Sequence, residues 1–478
     1  MSQFETVIGL EVHLQLSTAT KIFCGCANRY GCGPNTNVCP VCLGLPGSLP
    51  VLNSQAMRYA ITASLALNAR INGFVKFDRK NYYYPDLPKG YQISQYDFPI
   101  ASDGYLEVKT KDTSARVRIK RAHLEEDAGK LMHDNAAGCS LVDYNRTGTP
   151  LLEIVTEPDI RSPQEAYDYL NTLKLNLQYL GISDCDMEKG SLRCDANVSI
   201  RPIGATAFGT KAELKNMNSF KAVKAALEYE VTRHRQMAIS GGRIVQETLL
   251  WDDIKGVTVP MRSKEEAHDY RYFPDPDLVP FTLDPAFVDS LRAELPELPL
   301  QKQERFKEQY GLNDYDSFIL ISDRSISEFF EQCALLYQNP KNIANWISGP
   351  LLKEINQRKC VLTDLKLTSE NFVNLIKSVD NGVVSNLVGK DVLTAMLDQG
   401  RSADVIIQEG GWAQVSDDSA LTVIVDEVIA QNPSVAAQIK EGKANAVGFL
   451  VGQVMKKSKG KANPKKLSEL ITRRISNG

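Results

Sequence analysis

Apolar and polar residues alternate strictly along residues 9–16. Leu10, Val12, Leu14 and Leu16 fall on one side, and Glu11, His13 and Gln15 on the other. Successive strand side chains point to opposite faces, so this segment predicts a half-buried strand with a Glu–His pair on its polar face. The pattern recurs in residues 192–200, where Leu192, Cys194, Ala196, Val198 and Ile200 face a core. Arg193, Asp195, Asn197 and Ser199 make the polar stripe there. In residues 211–216, Lys211, Glu213 and Lys215 share one side, and residues 151–155 are apolar except for Glu153. Together these stripes predict an open antiparallel sheet with one face turned to a cleft.

Helical spacing interrupts the strands twice in the first 290 residues. Tyr167, Leu170, Leu173, Leu177 and Leu180 recur three or four apart, after an N-cap candidate at Ser162 and Pro163, and before a stop at Gly181. A second helix is expected over 222–239, closed by Gly241-Gly242. Beyond Leu295-Pro-Glu-Leu-Pro299 the helical period takes over. Phe372, Leu375, Ile376 and Val379 follow the cap candidate Thr368 and precede Asn381-Gly382. Leu421, Ile424, Val425, Val428 and Ile429 repeat the spacing before Asn432-Pro433. The Gln408-Glu-Gly-Gly-Trp412 stretch reads as a hinge between two small helical domains. The chain is therefore expected to be α+β, with an antiparallel-sheet domain over 1–292, a helical domain over 293–405 and a small all-helical tail over 406–478.

Length and charge narrow the class. A chain of 478 residues exceeds one core. Its 43% hydrophobic and 24% charged content is ordinary for a soluble globular protein. A net charge of −3 gives no global basic field, so any nucleic-acid surface must be local. The best candidate is the tail, where Lys456, Lys457, Lys459, Lys461, Lys465, Lys466, Arg473 and Arg474 face a single acid, Glu469. A solvated helix face is the competing reading. No segment is long and apolar enough for a membrane span, and Met1-Ser-Gln-Phe-Glu5 lacks a signal pattern, so a cytoplasmic location is expected. A phosphate-cradling Gly-x4-Gly-Lys-Ser/Thr loop is absent, which argues against a P-loop ATPase.

Five of ten cysteines cluster at Cys24-x-Cys26, Cys32 and Cys39-Pro-Val-Cys42. A Cys-x-Cys pair facing a Cys-x-x-Cys pair suits a tetrahedral thiolate cage for Zn²⁺, with Cys24, Cys26, Cys39 and Cys42 as ligands and Cys32 spare. Carboxylates concentrate in two further places. His123-Leu-Glu-Glu-Asp-Ala-Gly129 reads as a loop crowded with like charges, which repel unless a cation or solvent screens them. Glu153 sits amid Leu-Leu-Glu-Ile-Val, where a buried acid needs a partner: a metal ion, or a neighbouring Arg or Lys. Oxygen ligands with one His suit Mg²⁺ or Mn²⁺ better than zinc. Arg193 offers a bidentate clamp for phosphate. Lys80 lies in a segment with four tyrosines, Phe77 to Gln92, which reads either as a nucleotide or RNA seat or as a structural plug. His268-Asp-Tyr-Arg-Tyr-Phe-Pro274 is similar in kind.

Several long motifs carry a resemblance in the right order. They include Gly9-Leu-Glu-Val-His-Leu-Gln-Leu16, Phe77-Asp-Arg-Lys-Asn-Tyr82, Tyr91-Gln-Ile-Ser-Gln95 and His123-Leu-Glu-Glu-Asp-Ala-Gly-Lys130. Gly148-Thr-Pro-Leu-Leu-Glu-Ile154, Gly190-Ser-Leu-Arg-Cys-Asp-Ala-Asn-Val-Ser199, Phe208-Gly-Thr-Lys-Ala-Glu-Leu-Lys-Asn216 and Gly448-Phe-Leu-Val-Gly-Gln453 continue it. The chain resembles, nearly end to end, the B subunits of the glutamyl/aspartyl-tRNA amidotransferases of the GatCAB type.

That resemblance implies a cradle-shaped N-terminal domain that binds ATP and Mg²⁺, with metal ligands at Glu11, His13, Glu125, Glu153 and Glu213. It also implies a structural Zn²⁺ in the 24–42 knuckle and a tRNA-holding tail; phosphate contacts are expected from Lys80 and Arg193. The activity implied is ATP-dependent amidation of Glu on tRNA(Gln) or Asp on tRNA(Asn), through an acyl phosphate. No Ser-Ser-Lys amidase signature is present. Ammonia is therefore expected from a glutaminase A subunit, with a small C subunit completing a heterotrimer. A non-catalytic tRNA-binding scaffold and a stand-alone ligase acting on a free amino acid are the alternatives.

Overall fold

The computed structural model describes residues 4–109, 114–134, 138–261, 269–412, 418–440, 445–457 and 464–477. Two compact units divide it, residues 1–298 and 299–478. The first unit opens with β1 (Phe4–Gln15), α1 (Ser54–Ala66), β2 (Arg70–Ile71), β3 (Phe74–Val75), β4 (Asp78–Asn81) and β5 (Tyr91–Ser94). β6 (Ala101–Lys109), β7 (Ser114–Glu126), β8 (Lys130–Asp134), β9 (Cys139–Asp143), β10 (Pro150–Thr156) and α2 (Pro163–Tyr179) follow. It ends with β11 (Leu192–Pro202), β12 (Ala212–Lys215), α3 (Phe220–Ile239), β13 (Glu247–Asp252), β14 (Val257–Pro260), β15 (Phe273–Pro274), β16 (Phe281–Thr282) and α4 (Pro285–Ala293).

Nine strands form one sheet in the order β14-β13-β12-β11-β1-β10-β7-β6-β2. All its pairings are antiparallel except β12 with β13. The expectation of an antiparallel sheet therefore holds apart from that one parallel pair, which becomes possible because α3 returns the chain to the same end of the sheet.

The alternation read from the sequence decides the faces. Ile8, Leu10, Val12 and Leu14 of β1 are buried, and so are Leu192, Cys194, Ala196 and Val198 of β11. They share one core with Leu170, Leu173 and Leu177 of α2 and Val223 and Leu227 of α3. Each of the Val, Leu and Ile side chains contributes on the order of 1.5–3 kcal/mol by leaving water. Ser162 caps α2 by accepting the Glu165 N–H, and Ser219 caps α3 through the Ala222 N–H. With helices on that face, the stripes of β1, β11 and β12 are left on the other.

One expectation changes. Residues 123–126, expected as a loop, form the end of β7, which pairs with β10. Leu124 supplies the core contact, fully buried. Glu126 shares its side of the strand and is neutralised by Lys89 Nζ at 2.5 Å, where its Oε1 also accepts the Ile93 N–H. A charged residue on the core side is what hid the strand.

The second unit is helical. Pro299–Tyr310, Asp314–Ile321, Arg324–Leu336, Pro340–Trp346, Leu352–Arg358, Ser369–Asp380, Asn386–Gln399 and Ala403–Glu409 come first. Phe306 packs on Phe330, and Phe329 on Phe372, in their interior. Asp418–Gln431, Pro433–Lys440, Asn445–Lys457 and Pro464–Asn477 build a separate core from Leu421, Val425, Val428, Leu450, Val454, Leu467, Ile471 and Ile475. The helices expected after Thr368 and around Leu421–Ile429 are both present, the first with Thr368 as its N-cap.

Candidate active site

The sheet register builds the centre. His123 of β7 lies opposite Glu153 of β10, and Glu153 lies opposite His13 of β1. The row continues to Arg193 of β11. Three strands far apart in sequence thus bring an imidazole, a carboxylate and a second imidazole side by side. Glu125 enters from β7, two residues beyond His123. The donor atoms of His13, Glu125 and Glu153 all lie within 4.8 Å of one another. His13 Nε2 is 3.3 Å from Glu153 Oε2, and Ser94 Oγ donates to Glu125 Oε2 at 3.2 Å.

Charge in this buried setting is held by the imidazoles. Burial works against the Glu153 carboxylate, but His123 and His13 override it and hold its pKa well below the usual range. Glu125 is likewise buried, and His123 holds its carboxyl below the ordinary value. Burial opposes protonation of His13, yet the hydrogen bond and charge of Glu153 raise its pKa. Two carboxylates and an imidazole in one ligand sphere suit a divalent cation with hard oxygen preference, so the residues fit Mg²⁺ or Mn²⁺.

The other two expected ligands stand apart from this sphere. Glu11 accepts from Asn197 Nδ2 at 3.3 Å. Burial, together with the charges of Glu153 and Glu213, holds the Glu11 carboxyl above the usual carboxylate range. Glu213 is engaged by Lys215 Nζ at 3.0 Å and by Thr248 Oγ1 at 2.9 Å. Lys215 also bridges to Asp195 at 2.5 Å. These residues form an outer row beside the inner set.

The two expected phosphate contacts are placed differently from one another. Arg193 is drawn to the buried Asp127, with Nη2 3.0 Å from Oδ1. Gln15 and Arg146 hold the same carboxylate. Lys80 stands over the rings of Tyr270 and Tyr82, at 4.7 and 5.8 Å from their centroids. Tyr82 meets Tyr270 edge to face at 6.0 Å, which joins the two motifs, and Tyr272 stacks on Tyr96 at 4.2 Å. His268 lies outside the described residues.

A cavity of about 260 Å³ opens on the same sheet face, beginning at Glu11. Gly9, Thr156, Pro158, Phe208, Lys120 and Lys211 are among the residues that line it. Gly209 is required beside it, because a Cβ there would fall 2.1 Å from the Ile200 carbonyl oxygen. Sequence reading missed Thr156 and Pro158 in this role, because each is single and outside any polar stripe.

The cysteine knuckle is a second centre. The sulfurs of Cys24, Cys26, Cys39 and Cys42 all lie within 4.8 Å of one another, and Cys32 is exposed outside the group. Hydrogen bonding from Cys24 outweighs burial and lowers the Cys42 thiol to about 5, while burial and Cys39 push Cys26 up to about 11. Lys21 Nζ, on a buried side chain, lies 3.8 Å from Cys42 Sγ. Four converging thiols fit Zn²⁺.

In the tail, Lys457 pairs with Glu427 at 2.7 Å and Arg474 with Asp426 at 3.0 Å. Lys459 and Lys461, and the side chains of Lys465 and Lys466, lie outside what is described.

The first unit is thus a nine-stranded sheet domain with helices on one face and an imidazole–carboxylate row on the other. Residues 6–289 match the family model described as the GatB/GatE catalytic domain, and residues 328–475 match that described as the GatB domain. The chain belongs to the family of amidotransferase B subunits. It is 52% identical over 474 residues to the aspartyl/glutamyl-tRNA(Asn/Gln) amidotransferase B subunit of Thermoanaerobacter sp. (strain X514), covering 99% of this chain and 100% of the relative. The corresponding protein of Carboxydothermus hydrogenoformans is 52% identical over 479 residues, with both chains fully covered. That of Brevibacillus brevis is 50% identical over 471 residues, 98% of each chain. Among the described residues no helix is long and apolar enough to cross a membrane.

Proposed function

We propose that this chain carries the ATP-dependent amidation of Glu borne on tRNA(Gln), or Asp borne on tRNA(Asn). The observation that supports this reading most is the convergence of His13, Glu125 and Glu153 beside a cavity lined in part by lysines. A side-chain carboxylate is a poor electrophile toward ammonia. One carboxylate oxygen therefore attacks the γ-phosphorus of ATP, and ADP leaves. Ammonia then attacks the acyl carbon, inorganic phosphate departs with that oxygen, and the nitrogen loses a proton to leave the amide.

His13, Glu125 and Glu153 would hold the divalent ion, which supplies neutralisation of phosphate charge when bound. Glu11 lines the adjoining cavity, and Glu213 stands in the outer row beside it. The cavity over Gly9, lined by Val155, Pro158 and Phe208 together with Lys120 and Lys211, is the proposed seat of the nucleotide, with the two lysines as partners for its phosphates. Lys80 and Arg193 remain the proposed phosphate contacts of the other flank, and Arg193 acts there from its bond to Asp127. Zn²⁺ in the knuckle is structural. Residues 406–478 help hold tRNA.

The relatives are B subunits by name, which fits a chain that works in an assembly. A glutaminase A subunit would deliver ammonia and a small C subunit would complete the heterotrimer, in the cytoplasm. The test assembles this chain with such partners and supplies Glu-tRNA(Gln), ATP, Mg²⁺ and free ammonium without glutamine. Gln-tRNA formation that requires ATP and releases ADP is expected. Intact tRNA binding with no product would favour a scaffold role. Product from free glutamate without tRNA would favour a stand-alone ligase.

A further inference from the structure

Two histidines face the carboxylate pair, and the donor atoms of His13, Glu125 and Glu153 lie within 4.8 Å of one another. His123 is 3% exposed, with Nε2 3.4 Å from Glu153 Oε2 and 3.5 Å from Glu125 Oε2. Glu125 follows it on the same strand, and Glu153 faces it across the β7–β10 ladder. Its other ring nitrogen, Nδ1, is buried and makes no hydrogen bond, so these contacts are the whole polar engagement of the ring. Glu153 Oε2 is thus flanked from both neighbouring strands, by His13 at 3.3 Å and by His123.

Two carboxylates held this close repel. An imidazole N–H within reach of both counters that repulsion and keeps the two facing oxygens close. Partners that hold ligating groups in this way typically change metal affinity 10- to 100-fold when removed.

The geometry points to His123 as a positioning residue that holds Glu125 and Glu153 at ion-binding spacing without itself ligating the ion. This rests on the reading of His13, Glu125 and Glu153 as the divalent centre. It separates two histidines that the sequence presents alike, each beside acidic residues on a strand.

Mn²⁺ is the probe, added to the assembled complex and followed by calorimetry and by electron spin-echo spectroscopy of the bound ion. His123→Ala is expected to weaken Mn²⁺ binding about 10- to 100-fold. His123→Gln, whose amide N–H reaches the same oxygens, is expected to recover most of that loss. The spin-echo spectrum should report one coupled imidazole in the wild-type complex and one in His123→Gln. Unchanged affinity in His123→Ala, or two coupled imidazoles in the wild type, would overturn the assignment. Should His123→Ala fail to assemble, the imidazole count in wild type and His123→Gln still decides it. Glu153→Gln serves as the control. If it binds Mn²⁺ like the wild type, the centre itself is misassigned. If it loses Mn²⁺ while His123→Ala does not, only the role of His123 falls.

Discussion

The cysteine knuckle gathers its four sulfurs from one loop, residues 24–42, whereas the imidazole–carboxylate centre draws His13, Glu125 and Glu153 from three strands. In the knuckle, ligand spacing and chain proximity are the same fact. In the sheet, proximity exists only after β1, β7 and β10 have paired in register. An ion in the first case would organise a loop that lies outside the regular strands and helices. In the second case the sheet and its helical backing already hold the three side chains, and an ion would add chemistry to a finished scaffold. Disturbing the knuckle should therefore cost stability, and disturbing the sheet centre should cost turnover.

The largest effect expected on the stability side comes from Cys42→Ser. Because metal binding to such a loop is part of its folding free energy, loss should exceed about 3 kcal/mol, with zinc lost from the protein. Urea denaturation with metal analysis checks both. Zinc lost at full stability would mean that the loop folds without its ion. A smaller effect distinguishes the inner from the outer row. Glu213 is already occupied by Lys215 and Thr248, so Glu213→Gln should lower kcat/KM only about tenfold, or about 1.4 kcal/mol. A thousandfold fall in steady-state kinetics would move Glu213 into the ligand set.

The smallest effect lies away from both centres. Hydrogen bonds and charge from Arg118 hold the Asp159 carboxyl below its ordinary range. A depressed folded pKa stabilises fully above the unfolded value of about 3.9 and loses that stabilisation as pH falls through the folded one. Arg118 is largely exposed, which screens the pair. Asp159→Asn should therefore cost about 0.5–1 kcal/mol at neutral pH, and the difference from wild type should close under acid, with turnover unchanged. Thermal melts across pH, run beside the activity assay, would show it. A constant difference at all pH values would contradict the ion-pair account.

How much was legible follows the same division. The faces of β1 and β11 were readable because their core sides are apolar over residues 8–16 and 192–200, and the knuckle because its spacing is local. The strand at residues 123–126 was not, since Glu126 occupies the core side and is tolerated only through Lys89, distant in sequence. The burial of Glu153 was readable from its neighbours, but its partners were not, because His13 and His123 reach it only through strand pairing. The engagement of Arg193 with Asp127 was hidden for the same reason. Residues whose role depends on cross-strand neighbours carry no local mark of it.

The most direct test of the central claim is the ammonium-driven assay run on a complex containing Glu153→Ala. ATP-dependent formation of Gln-tRNA should be abolished while affinity for Glu-tRNA(Gln) stays close to wild type, placing the chemistry on this sheet face. Turnover near wild type in that variant would contradict the account.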